Sequence, residues 1–332
     1  MGFKSGNQGS ALTADAVTKG SSVDWKLLYR KYGILLIFVA IMIISALLNP
    51  NFLEPANLLN ILRQNSVIAI IACAQTILIV SGMIDLSAGF VLTLSGCLAC
   101  GVMVNTGSLP LALGTGIIVG GLCGWVNGFL VTRFGLQPFI ATLAMANVAS
   151  GITQVYTGGS AISRIGDLKY VGQGYLGPVP LPIVIMLFIV ALTWFIMKYT
   201  RFGLYIYAIG GNEKATIASG IPVNRAKRRI FGLSGLFVGL AGVVLMARLN
   251  SGQPSVGAGY EFDAITAAIV GGTSFNGGIG NVFGTLIGAL IVGMINNILN
   301  LMNVSTQYQL IIKGVLIAAA VIIDLRTKSA RS

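Results

Sequence analysis

Most side chains equipped for chemistry in this 332-residue chain stand inside or at the edges of long apolar runs. Asp85 lies between two glycines in Gly82-Met83-Ile84-Asp85-Leu86-Ser87-Ala88-Gly89, and Lys313 stands about one and a half turns into the last run. Ionisable groups at such places are costly and default to functional suspects. Asp85 is either a cation-binding or proton-carrying acid or, as the flanking residues favour, the cap for a helix starting over Leu86-Ser87-Ala88. Lys313 can snorkel outward or pair with Glu261 or Asp263. The amides Asn127, Asn147, Gln154, Asn296, Asn297 and Asn300 are uncharged. They suit interhelical hydrogen bonds or a hydroxyl-bearing solute in a central pathway.

Other chemistries are excluded by what the chain lacks. It has no histidine, which removes Ser-His-Asp catalysis and the commonest proton shuttle. It also has no Gly-x-x-x-x-Gly-Lys-Ser/Thr and no Gly-x-Ser-x-Gly, so neither a phosphate loop nor a hydrolase elbow is present. Cys73, Cys97, Cys100 and Cys123 all fall in apolar runs. Cys97 and Cys100 have the CxxC spacing, but without a second pair or any histidine they read as helix packing rather than a metal site or disulfide.

The chain is 55% hydrophobic and only 9% charged, with a mean hydropathy of +0.87. That is the composition of an all-α integral membrane protein, since soluble domains carry about 25% charged residues. The net charge of +12 does not indicate nucleic acid, because the basic residues sort by side of a membrane instead of gathering on one face.

Apolar runs cover residues 33–48, 65–105, 110–131, 139–156, 181–197, 230–247, 264–272, 282–301 and 308–323. The 65–105 run is broken once, at Gly82–Gly89. It divides either into two spans meeting at a tight turn or into one span and a re-entrant segment that holds Asp85 deeper. The 264–272 run is too short alone and must borrow from Glu261-Phe262-Asp263 or from the glycine-rich turn after it. About ten transmembrane helices with both termini cytoplasmic result, and 16 of the 21 basic residues then lie inside. Residues 1–32 form a polar cytoplasmic tail, with Trp25, Tyr29 and Tyr32 as interface anchors; 33–324 form the membrane domain; 325–332 close the chain inside. Gly120, Gly124 and Gly128 recur every fourth residue and mark a close helix contact.

The strongly basic segment 198–229 carries seven cations against the single acid Glu213. Inside it a short helix announces its own ends. Asn212 can cap it, Glu213 stands in the positive first turn, Gly220 can take the left-handed position after the last turn, and Pro222 forbids continuation.

Three separated motifs carry a resemblance. They are Val80-Ser81-Gly82-Met83-Ile84-Asp85-Leu86-Ser87-Ala88-Gly89, then Tyr207 to Thr216 with Ser219-Gly220-Ile221, then Ala268 to Gly280. In this order they resemble the membrane subunit of ribose-type bacterial ABC sugar importers, over residues 33–324. A departure is Met83, where a second glycine is common in that family.

The resemblance implies a multi-pass permease of the bacterial plasma membrane, paired with a second copy. It would rest on two cytoplasmic ATP-binding subunits that hold the ATP and magnesium, and receive a neutral monosaccharide from a periplasmic or lipid-anchored binding protein. Nucleosides or a furanosyl signalling molecule are the alternative cargo. Asn212, Glu213, Lys214, Ala215, Thr216, Ser219 and Gly220 would form the coupling helix. Gly82, Asp85, Ser87 and Gly89 would form the helix break. Asn127, Asn147, Gln154, Asn296 and Asn297 would belong to the substrate pathway. No catalytic or metal-binding residue is expected in the chain itself; a self-contained ion-coupled carrier is the reading from a different class.

Overall fold

The computed structural model describes Gly2 and residues 25–329, with side chains placed for 33–322 except Ala320. The expected tails, 1–32 and 325–332, and the anchors Trp25, Tyr29 and Tyr32 lie largely outside what is described. The helices in chain order are α1 (Trp25–Leu48), α2 (Pro55–Val80), α3 (Ala88–Thr106), α4 (Leu109–Phe134), α5 (Pro138–Thr157), α6 (Lys169–Gln173), α7 (Leu181–Tyr199), α8 (Arg201–Gly211), α9 (Glu213–Ala218), α10 (Val223–Leu249), α11 (Tyr260–Val270), α12 (Val282–Leu301) and α13 (Thr306–Ser329). Among the described residues, one two-stranded hairpin, Tyr175–Leu176 with Val179–Pro180, stands before α7.

Local chemistry sets many of these ends. Proline occupies the first turn of α2, α4, α5 and α7, where its missing N–H costs nothing. Gly107, Gly135 and Gly158 end α3, α4 and α5 at φ of 66°, 68° and 60°. Among the described residues, seven helices (α2, α3, α4, α5, α7, α10 and α12) are long and apolar enough to cross a membrane. The chain is therefore an all-α integral membrane protein.

α2 stands at the centre. Residues 65–80 are buried on every side, which a helix apolar all round requires. α10 packs beside it and against α3 and α4. The expected glycine stripe on α4 lies in the α4–α10 contact: a Cβ on Gly120 or Gly124 would overlap the α10 backbone at Gly235 and Phe231. α1 covers α12 through Phe38, Ile41 and Met42. The outer faces of α4, α5, α7 and α13 expose Leu, Ile, Val and Phe, as a lipid-facing surface must.

The structure moves several expected boundaries. α2 begins at Pro55, ten residues before its apolar run, because Asn57 is held by hydrogen bonds to Asn297 and to the Phe52 carbonyl. The basic 198–229 segment is not an open loop; α8, α9 and the first turns of α10 occupy most of it. α11 borrows from the Glu261-Phe262-Asp263 side but reaches only 11 residues, or about 16 Å, against a hydrocarbon core of about 30 Å. The Gly271–Gly280 turn continues from it, with Gly271, Gly277 and Gly280 packed against α12, α8 and α2 while Gly272, Asn276 and Ile279 are exposed.

Candidate functional site: a capped helix, a glycine junction and an amide-lined cavity

α9 forms as its residues dictate. The Asn212 side chain accepts the Ala215 N–H at 3.0 Å. At the other end Gly220 has φ +79°, with its N–H bonded to Ile217 O and the Ile221 N–H to Thr216 O, the double bond of a Schellman cap. Thr216, buried, donates its hydroxyl to the carbonyls of Ala208 and Asn212 and ties α9 to α8. Glu213 pairs with Lys227 Nζ at 2.7 Å and ties α9 to α10. The outer face stays free: Lys214, Ala215, Ser219 and Gly220 are exposed, and Ile217 is 56% exposed.

The three glycine-rich motifs, far apart in sequence, meet directly above α9. Gly278 donates its N–H to Val80 O at 2.7 Å, where α2 ends. A Cβ on Gly210 would overlap that same carbonyl, so α8 can reach the end of α2 only as glycine. Gly277 and Gly278 have φ of +84° and +74°, and the Tyr207 hydroxyl donates to Gly280 O at 2.9 Å.

Beyond Gly82, at φ +76°, the chain turns back along α2. Gln75, five residues before the end of α2, bonds the Asp85 carbonyl through Nε2 at 2.6 Å. Asp85 is thus drawn about 7 Å back into the bundle rather than lying at the turn's tip. Its Oδ1 accepts the Ser87 N–H at 2.7 Å and the Ser87 hydroxyl at 2.5 Å. That is an Asx turn leading into α3, whose own N-cap residue is Ser87, and Asn127 Nδ2 extends it to α4 through Ser87 Oγ at 3.1 Å. The next glycine, Gly89, leaves room for the Glu261 carboxylate and Gly257. Glu261 is buried and receives the Gly259 N–H on both oxygens.

At the opposite end of the bundle a cavity of about 180 Å³ opens between α2, α10, α11, α12 and α13, lined among others by Gln64, Asn65, Arg248, Asn296, Asn297, Asn300 and Gln309. Lys313, left open between two acids by its sequence, pairs with Asp263 at 2.8 Å, and Asn296 Nδ2 donates to the same carboxylate at 3.4 Å. Of the amides singled out in the sequence, Asn296, Asn297 and Asn300 line this cavity, and Asn127 bonds Ser87 beside Asp85 instead. Asn147 and Gln154 lie on the exposed face of α5, Asn147 donating to Leu143 O. Asn65 and Arg248 were not singled out. One is the first residue of an apolar run and the other follows one, and only the tertiary contacts bring them together.

A bundle of long apolar helices, with a short capped helix at one end and a polar cavity at the other, defines a membrane permease. The model of the family described as "Branched-chain amino acid transport system / permease component" matches residues 57–321, and the chain belongs to that family. It is 44% identical over 321 residues to the ribose import permease protein RbsC of Bacillus subtilis, covering 96% of this chain and 99% of that protein. It is likewise 44% identical to RbsC of Escherichia coli K12, over 90% and 94% of the two chains. The D-allose transport system permease protein AlsC of the same organism is 39% identical, over 91% and 93%. No solved structure matches the chain. It is a multi-pass protein of the bacterial plasma membrane.

Proposed function

We propose that the chain is the permease subunit of an ATP-driven importer of a neutral monosaccharide, ribose first among the candidates. The observation that carries this reading is the likeness to ribose import permeases over nearly the whole of both chains. The geometry supports it: Asp263 is neutralised by Lys313, and six amide side chains line the cavity beside them, which suits hydroxyls.

ATP is hydrolysed on a separate cytoplasmic subunit, with its magnesium. α9, from the Asn212 cap through Glu213, Lys214, Ala215 and Thr216 to Ser219 and Gly220, docks in a cleft of that subunit, with Ile217 as the apolar contact. Motion of α9 passes through α8 and the Gly210 junction to α2 and to the turn before α12. Sugar arrives from a soluble or lipid-anchored binding protein at the cavity end. A second copy of the chain completes the pathway, and the exposed α5 face with Asn147 and Gln154 faces it. The chain crosses the membrane ten times, α11 with its glycine-rich turn making the eighth crossing, so both termini and α9 are cytoplasmic.

Uptake of labelled ribose, allose, arabinose and a nucleoside in a strain with and without this gene tests the cargo. Ribose uptake should vanish on deletion. Loss of nucleoside uptake alone would overturn the sugar assignment while leaving the importer class intact.

A further inference from the structure

Buried polar groups in a folded chain are nearly all hydrogen-bonded, and an orphan needs a reason. The wall of the cavity described above concentrates several. Asn65, on α2, is 1% exposed, and neither its Oδ1 nor its Nδ2 has a partner. The Asn296 Oδ1 and the Arg248 Nε are buried without partners as well. All three residues line the same space, together with Tyr260 and the Asp263–Lys313 pair.

The backbone is shaped to keep Asn65 there. Its amide lies flat against Gly293 of α12, where a Cβ would overlap Nδ2, Cγ and Oδ1 together. Were Asn65 merely joining α2 to α12, its amide would bond a group of α12, yet it bonds none.

The unmet set is mixed. Asn65 offers a donor and an acceptor, Asn296 an acceptor, and Arg248 a donor. A metal ion would use only the acceptors, and an anion only the donors. A hydroxyl both donates and accepts, and several hydroxyls on one small ring can meet donors and acceptors spread around a wall.

We infer that this cavity is a binding site for the transported solute, a neutral polyol, held by Asn65, Asn296 and Arg248 beside the neutralised Asp263–Lys313 pair. The assignment rests on the importer reading above and adds to it the place where the sugar first leaves its binding protein for the permease.

The test uses the complete importer in cells deleted for the chromosomal gene, complemented by the unmodified chain or by Asn65→Leu, Asn296→Leu or Asn296→Gln. The maximal rate of labelled ribose uptake is measured per amount of chain inserted in the membrane. Each leucine variant should lower it by about tenfold, the effect of one buried hydrogen-bonding group lost to the solute. Asn296→Gln, which keeps the amide, should recover most of the rate. Both leucine variants transporting at the unmodified rate would overturn the site while leaving the importer reading in place. Failure of both to insert, or Asn296→Gln as impaired as Asn296→Leu, would assign these amides to helix packing and overturn it too. Ribose uptake independent of the gene would sink the sugar reading and this site together.

Discussion

Asp85 shows how a single residue's surroundings choose between roles. An acid among apolar helices can carry a proton or a cation, but here one carboxylate oxygen holds both the N–H and the hydroxyl of Ser87 at the start of α3. Leaving these buried donors of Ser87 without their acceptor costs about 1–3 kcal/mol. Asp85→Ala should therefore lower the melting temperature of the purified protein, and Asp85→Asn, which keeps an acceptor, should retain most of the stability and transport. An Asp85→Asn chain that melts normally but transports nothing would point to proton or cation carriage instead. Gly220 is the second case. At φ +79° a β-branched side chain costs more than about 1 kcal/mol and spoils the end of α9. Gly220→Val should insert normally, and the importer carrying it should consume ATP on its ATPase subunit without moving sugar, read from the ratio of sugar transported to ATP consumed. An unchanged ratio would remove α9 from the coupling path. The Glu213–Lys227 pair, with Glu213 about half exposed, contributes no more than about 1 kcal/mol to folding, so a transport loss in Glu213→Ala would report docking rather than stability.

Elements that announce their own ends were legible in the sequence, and elements held by distant partners were not. α9 carries its cap, its left-handed glycine and its proline within eleven residues, so its limits could be read directly. The α4 glycines could be read as a contact face, though not which helix fills it. The polar start of α2, outside any apolar run, is held as helix by Asn57 bonding Asn297, 240 residues away. The pairing of Lys313 with Asp263 was left open for the same reason, and Asn65 carries no local signal. The junction of Gly210, Val80 and Gly278 is of the second kind, since the sequence supplies its three parts and only the fold supplies their meeting. A methyl group at Gly210 has no room there. Gly210→Ala should push α8 off the end of α2 and lower transport severalfold while α9 stays folded, whereas Gly211→Ala, in open space, should leave transport near normal. Equal effects at the two positions would contradict the junction's role.

For the whole molecule, the proposed ten-crossing arrangement has α9 and both termini on one side of the membrane. Reporter fusions after Gly211 and after Lys328 should both read cytoplasmic, and an outside reading at either would remove the ten-crossing arrangement. On the proposed function this chain moves sugar only when a separate ATPase drives it. Proteoliposomes containing the chain alone, with the ATP-binding subunit, and with both that subunit and the sugar-binding protein test it most directly, with labelled ribose and with or without ATP. Accumulation is expected only in the complete set with ATP. Accumulation by the chain alone under an ion gradient would contradict the account and assign it to the ion-coupled carriers.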